Sequence, residues 1–545
     1  MVRLFTKVLC VHQAPSEKAT KALNDAFSHS RERVKVRSTI SYERFRFTLI
    51  TLCIFGTLAS APAQAAEQPV DLLISNGRVI DPETGLDAIR DVAVSGGRIV
   101  AITQTYTDAL DGQALRIAAQ GMVVAPGFID LHVHGQSDRA HEYQVRDGVT
   151  TALELEWGYP EVGSFLDSRR GRSRVNYGAS ASHAAIRALA LVEREADREF
   201  LRGQLAQAVR NEEPLRGIQA LVGETFYAEM PSSREPILQE ELERAFDEGA
   251  IGIGMPHAYY PGASSAEIFD LFENAVDFDV PIFTHVRGRG LQSVQEVIAN
   301  AAATGAALHI VHVNSVSLGD INPVLRLIQG ARARGVDVTA EAYPYTAGST
   351  SIQSALFDGD WQSSYGISYD GLQWQATGER LNAETFTQYR QQGGAVIIHM
   401  MQEEWIDQAI GNDWVIVASD GMPYAPGAHP RTAGTFSRVL GRYVRERGVI
   451  DLETAIRKMT LLPARRLEKL VPDMTRKGRL QVGAAADIVV FDAENIIDTA
   501  TFESGPSFSK GVEFVFVNGV AVVMDGEAVP DVFPGEAVRS ENPTP

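Results

Sequence analysis

Cysteine is almost absent from this chain: 545 residues contain two, Cys10 and Cys53, both within the first 65 positions. A disulfide framework is therefore excluded downstream, and any metal site there must be built from histidine and carboxylate rather than thiolate. Positive charge is short as well, with 50 Lys and Arg against 69 Asp and Glu and a formal charge of −19. The body of the chain has no Lys/Arg run and no interleaving of basic with aromatic residues. The concentrated positive surface that displaces counterions from phosphate is missing, which excludes nucleic acid as a partner. An apolar block at 47–59 falls short of the roughly 20 residues that a bilayer-spanning helix needs. What remains is ordinary globular composition, 45% hydrophobic and 22% charged, with length for a large core.

The apolar block follows Tyr42-Glu43-Arg44-Phe45-Arg46 and precedes Ser60-Ala61-Pro62-Ala63-Gln64-Ala65. A basic flank, a short apolar run and a small-x-small end make the pattern of a secretory signal peptide, with cleavage expected after Ala65. Cys53 lies inside the apolar run rather than behind a lipobox, so no lipid anchor is expected. Residues 1 to 40 are polar and pattern-poor, and take no part in the expected fold. The segment 1–65 holds ten Lys/Arg and four Asp/Glu, so its removal leaves a charge of about −25. The expectation is an exported, periplasmic or secreted, strongly acidic protein with no stable membrane anchor.

Strand-like stretches with Asn-Gly and Gly-Gly turns follow at 71–80 and 91–102, and similar stretches return at 486–492 and 512–523. Two strand-rich ends around a long α/β middle predict one small β-sandwich assembled from 66–125 and 480–545, the latter including a C-terminal tail. The middle, 126–479, alternates apolar runs at 127–134, 149–156, 175–183, 250–256, 280–287, 307–314, 336–345 and 414–421 with amphipathic segments such as 235–247 and 266–276. Eight such units predict an α/β fold of the (β/α)8 TIM-barrel type, with catalytic residues at the C-terminal ends of the strands. Residues 355–400 exceed a normal crossover and are expected to form an excursion or lid.

The polar residues that end these strands carry the chemistry. Val124-Ala-Pro-Gly-Phe-Ile-Asp-Leu-His132-Val-His134 places two histidines two apart, on one face of the first barrel strand, where both imidazoles can bind one ion. His285, His312 and Asp420 end three further strands. A buried His or Asp at one strand end is commonly a hydrogen-bonded core residue. Convergence of four strands on one rim argues for a metal centre instead.

This pattern resembles the amidohydrolase superfamily. Within it, Ser419-Asp-Gly-Met-Pro, His429-Pro-Arg431, Gly434-Thr-Phe, Ala455-Ile-Arg-Lys-Met-Thr460, Tyr343-Pro-Tyr345, Gly252-Ile-Gly254, Tyr259-Tyr-Pro-Gly262 and Gly483-Ala-Ala-Ala-Asp-Ile-Val-Val-Phe-Asp492 are similar to the N-acyl-D-amino-acid deacylases. The resemblance spans roughly 70 to 525. It implies cleavage of the amide of an N-acyl amino acid by water activated at one or two divalent ions, zinc by preference, with Asp420 moving the proton. Arg431, Tyr343 and Ser349 match substrate-contact positions. Tyr259, in the matching Tyr259-Tyr-Pro-Gly262 stretch, is expected to bind substrate as well, and His183 matches a histidine position of the family, read as lining or supporting the pocket with core hydrogen bonding as the alternative.

The sequence departs from the branch at one ligand. The branch has a metal-binding cysteine after its Gly-Val-Thr-Thr strand, and the stretch here reads Gly148-Val-Thr-Thr-Ala-Leu-Glu154-Leu-Glu156-Trp157. A carboxylate can take its place, since divalent cations accept oxygen donors. Glu156 is favoured, Glu154 is the alternative, and a barrel-filling pair neutralised by Arg or Lys is the reading without a metal. Asn314 and Arg289 stand where the branch has Lys and Glu. His257, His309 and His399 are read as structural. Two rival functions remain: hydrolysis of a cyclic amide or lactone on the same barrel, and a non-catalytic binding protein.

Overall fold

The computed structural model describes residues 69–210 and 214–541; the expected signal peptide lies outside them. Among the described residues twenty strands form three sheets. None of the described helices is long and apolar enough to cross a membrane.

The first sheet comes from both ends of the described chain. Strands β1 (Val70–Asp81), β2 (Leu86–Ser95), β3 (Arg98–Thr103), β4 (Leu110–Ala118) and β5 (Val123–Pro126) join β17 (Ile488–Phe491), β18 (Val512–Val517), β19 (Val520–Met524) and β20 (Glu527–Ala528). The anticipated sandwich is thus one continuous nine-stranded sheet that curls on itself, with Ile99 N donating to Ala484 O at 3.0 Å across the gap. Alternation explains its two faces. Val124, Val490, Phe514 and Phe516 fill its own core, while Val123, Ala125, Val489 and Phe491 point the other way into the core of the barrel.

The barrel strands are β6 (Phe128–Asp130), β7 (Val149–Tyr159), β8 (Asn176–Ser182), β9 (Ile253–Pro256), β10 (Ile282–His285), β11 (Leu308–Ile310), β12 (Val338–Ala342) and β16 (Ile416–Val417), all parallel and paired in that order. Seven fall within the runs anticipated from sequence, and β7 starts with its run at Val149 and extends three residues beyond it, to Tyr159. The ring closes beyond the strands themselves, where His134 N donates to Gly421 O at 2.8 Å and Ser419 N to Asp130 Oδ1 at 3.0 Å. Burial pushes Asp130 up to about 7, against the bonds it accepts from Ser419 and His132.

The excursion begins earlier than expected. Strand β13 (Ala347–Ser351) pairs antiparallel with β15 (Ala395–His399), which also pairs with β14 (Leu372–Trp374). The Gly-Ser-Thr-Ser run carries no apolar signal, so the sequence hides this strand: its pairing comes from backbone hydrogen bonds to β15.

Candidate metal centre and pocket

Strand alternation turns His132 and His134 into the barrel lumen at the C-terminal rim. Their Nε2 atoms lie 3.3 Å apart. Glu156, on the neighbouring β7, places Oε2 at 3.3 Å from His132 Nε2 and 3.4 Å from His134 Nε2. Its other oxygen, Oε1, lies 2.9 Å from His285 Nδ1 and 3.2 Å from His312 Nε2. Asp420 Oδ1 completes the first cluster at 3.5 and 3.3 Å from the same two Nε2 atoms. One carboxylate therefore faces two histidine pairs, and His132, His134, Glu156 and Glu156, His285, His312 each gather three donor atoms within 4.8 Å.

The outer nitrogens show why this cluster fits a cation. His132 Nδ1 donates to Glu341 Oε1 at 2.6 Å and His134 Nδ1 to Glu154 Oε2 at 2.7 Å. A proton fixed on each Nδ1 leaves each Nε2 as a lone pair, and these lone pairs converge with two carboxylate oxygens. Such an arrangement repels itself unless positive charge enters. The proton affinities of His132 and His134 follow the same excess of negative charge. Burial disfavours charge on His132, yet Asp420, Glu156 and Glu341 outweigh it and hold its pKa well above the ordinary value. Against the same burial, Glu154 and Asp420 raise His134 to about 9. Burial and the neighbouring His312 push His285 down to about 4. Nitrogen and oxygen donors without sulfur suit zinc or another divalent ion. His312 and Asp420 hold non-glycine backbones at φ 33° and 53°, strain of the kind that clusters at functional sites.

The geometry separates the two carboxylates of β7. Glu156 belongs to both donor groups, whereas Glu154 is spent on His134 Nδ1 and on the backbone N–H of Trp157 at 3.1 Å. Sequence reasoning missed Glu341. It sits between His132 Nδ1 and His309 Nε2, the latter at 3.0 Å, so His309 also belongs to the support of the site. The available signal was the position of Glu341 at a strand end, two residues from Thr339 and on the same face of β12.

Above the donors opens a cavity of about 580 Å³ lined by Trp157, Tyr259, Tyr343, Ser349, Arg289 and Arg431, with His134, Glu156, His285, His312 and Asp420 at its floor. Tyr259 hydrogen-bonds Thr350 Oγ1 at 3.1 Å. The Ser349 hydroxyl is buried and has no partner. Burial raises the Tyr343 hydroxyl to about 12, so it stays a donor at neutral pH. The segment before β9 supplies Gln219, Phe226 and Tyr227 to the same wall, a contribution the sequence did not announce.

Two expectations need correction. His183 does not reach the cavity: β8 ends at Ser182, the chain turns into the helix His183–Leu191, and the buried ring meets the Tyr260 hydroxyl at 2.9 Å behind the wall. Arg431 does not reach freely over the mouth. It is buried at the start of the helix Arg431–Arg438, with Nη1 at 2.8 Å from Asp420 Oδ2 and Nη2 at 2.8 Å from Oδ1. Its guanidinium also lies 4.7 Å from the Tyr343 ring centre. Asp420 is thereby held well below the usual carboxylate range, burial opposing but Arg431 and His132 prevailing.

Comparison with known proteins gives a consistent picture. The model of the amidohydrolase family matches residues 372–523. An N-acyl-D-glutamate deacylase of Alcaligenes xylosoxydans xylosoxydans is 32% identical over 87% of this chain and 98% of its own length. A D-aminoacylase of the same organism is 31% identical over 84% and 96%. Among solved structures, the N-acyl-D-glutamate deacylase of Bordetella bronchiseptica, complexed with zinc and a phosphonate mimic of the tetrahedral intermediate, superposes with a TM-score of 0.71. It is 25% identical and covers 87% of this chain and all of its own.

Proposed function

The chain belongs to the amidohydrolase family, among the N-acyl-D-amino-acid deacylases, and we propose that it hydrolyses the amide of an N-acyl-D-amino acid to a carboxylate and a free amine. The observation that carries this reading is the carboxylate of Glu156 set between two histidine pairs at the floor of the cavity. His132, His134, Glu156, His285, His312 and Asp420 would hold one or two divalent ions. A divalent ion there supplies Lewis acidity for the scissile carbonyl and brings the pKa of water toward neutrality.

The chain's own residues do the rest. Glu341 and Glu154 hold the Nδ1 protons of His132 and His134, which keeps both Nε2 atoms available as donors. Asp420, kept anionic beside Arg431, accepts the proton of the attacking water and delivers it to the leaving nitrogen as the C–N bond breaks. The Ser349 hydroxyl, without a partner in the protein, and the protonated Tyr343 hydroxyl are suited to a substrate carboxylate. Arg431 serves twice, positioning Asp420 and adding positive charge where that carboxylate sits. Tyr259 packs its ring at 5.3 Å from that of His285 and shapes the wall.

Export belongs to the same proposal, on the strength of the basic, apolar and small-residue pattern that ends at Ala65. The catalytic reading is tested by ranking N-acetyl-D-amino acids, their L counterparts, hydantoins and lactones as substrates of the zinc-loaded protein. Preference for the D-amides is expected. Preference for a cyclic substrate would replace this reading with the cyclic-amide one.

A further inference from the structure

Two guanidinium groups line the cavity, and their states differ. Arg431 is committed to Asp420 through both terminal nitrogens. Arg289 stands on the loop that follows β10, four residues beyond His285, so chain length alone keeps its backbone within roughly 14 Å of that ligand's. Its Nη1 donates to Ser315 O at 3.1 Å, and its guanidinium carbon lies 3.7 Å from the ring centre of Tyr365, itself on the cavity wall. No carboxylate among the described residues forms an ion pair with Arg289, whereas Arg287, two residues earlier, pairs with Glu296. Stacking uses the face of the guanidinium and leaves its edge, where the remaining N–H groups lie, for hydrogen bonds. Among the described residues the only carboxylates on the cavity wall are Glu156 and Asp420, both part of the candidate metal centre. An unpaired, oriented cation therefore faces a cavity whose own acids are already in use.

We propose that Arg289 is a specificity residue that binds a second carboxylate of the substrate, so that the preferred substrates are N-acyl amino acids carrying two acidic groups. One carboxylate is the α-carboxylate assigned to Tyr343, Ser349 and Arg431; the second lies on the amino-acid side chain or at the far end of a diacid acyl group. A guanidinium recognises either by the same paired N–H···O contacts. A carboxamide in its place leaves a charged donor without its counter-charge. This inference rests on the deacylase reading above.

The test is a comparison of kcat/KM on zinc-loaded protein, wild type, Arg289→Gln and Arg289→Lys. One arm pairs N-acetyl-D-glutamate with N-acetyl-D-glutamine, and the other pairs N-succinyl-D-leucine with the succinamide of the same amino acid. In one of the arms the acid is expected to exceed the amide on the order of 10- to 100-fold in the wild type. That ratio should collapse in Arg289→Gln and return in part in Arg289→Lys, and the responding arm identifies where the second carboxylate sits. A wild-type ratio near one in both arms, or a loss in Arg289→Gln that is equal for acid and amide, would overturn the proposal while leaving the deacylase reading intact. Cleavage of none of the four compounds, nor of any other N-acyl-D-amino acid, by protein that retains zinc would overturn both.

Discussion

Replacing Glu341 with Gln probes the support of the metal centre without touching a ligand. The side chain is buried in β12, holds His132 Nδ1 at 2.6 Å and meets His309 Nε2 at 3.0 Å. Glutamine keeps the shape and one carbonyl acceptor for His132, but removes the negative charge that makes the opposite Nε2 a better donor. It also sets an amide N–H₂ against His309, which must then give up its Nε2 proton and turn to Thr339 Oγ1, 2.8 Å from its Nδ1. Carboxylates that hold the outer nitrogen of a ligating histidine are worth about 10- to 100-fold in metal affinity, roughly 1.4 to 2.8 kcal/mol. Competition between the protein and a zinc-chelating dye measures this directly. The expected result is a zinc Kd raised within that range at unchanged fold, as judged by circular dichroism. Thr339→Val, which disturbs His309 alone, should move it much less. Wild-type zinc affinity in Glu341→Gln would show that the His132–Glu341 contact does not serve a metal, and the tautomer argument would fail with it.

Other substitutions divide the remaining roles. Asp420→Asn should lower kcat by roughly 10²- to 10⁴-fold as the proton carrier is lost, with metal content measured alongside; near wild-type turnover at full occupancy would assign the proton elsewhere. Glu156→Ala should lower zinc stoichiometry, whereas Glu154→Ala should leave stoichiometry high but weaken affinity, since Glu154 touches only His134 and the Trp157 backbone; equal, full occupancy and affinity in both would make the pair barrel packing. Arg431→Met should cost activity on an N-acyl amino acid and on its carboxamide analogue, because Asp420 loses its partner in both cases, with a further loss on the acid alone. Intact protein carrying residues 1–65 in the soluble cytoplasmic fraction, detected by mass spectrometry, would refute export.

The barrel was legible in the sequence because its strands are buried on both faces and read as apolar runs, and because four of them end on His or Asp. His132 and His134 were readable from period two together with their place after Pro-Gly-Phe-Ile-Asp at the end of the first barrel strand. Glu156 was favoured over Glu154 from its place nearer the C-terminal end of the strand, but both lie on one face of β7, and it is the register against β6 that brings the Glu156 oxygens to the histidine pairs. Glu341 stayed hidden for a related reason: its value lies in a contact 209 residues away in sequence. Arg431 was found as a site residue, but its contact with Asp420 was not, because an arginine one loop beyond an aspartate can point at it or past it. His183 misled because a strand end and a helix start share a residue boundary, and the turn between them redirects the ring. The strand Ala347–Ser351 had no hydrophobic pattern to betray it, and the cavity wall it forms with the segment around Phe226 follows from tertiary packing.

The central claim is that the clustered histidines and carboxylates hold a metal that enables hydrolysis of an N-acyl-D-amino acid. Its most direct test is to strip the protein with a chelator, return zinc in measured equivalents, and follow the release of free amine from N-acetyl-D-amino acids at each step. The account predicts no turnover by the stripped protein and a rate that rises with the first equivalent of zinc bound. Full amine release by protein shown to be free of divalent metal, or none from zinc-saturated and folded protein, would contradict it.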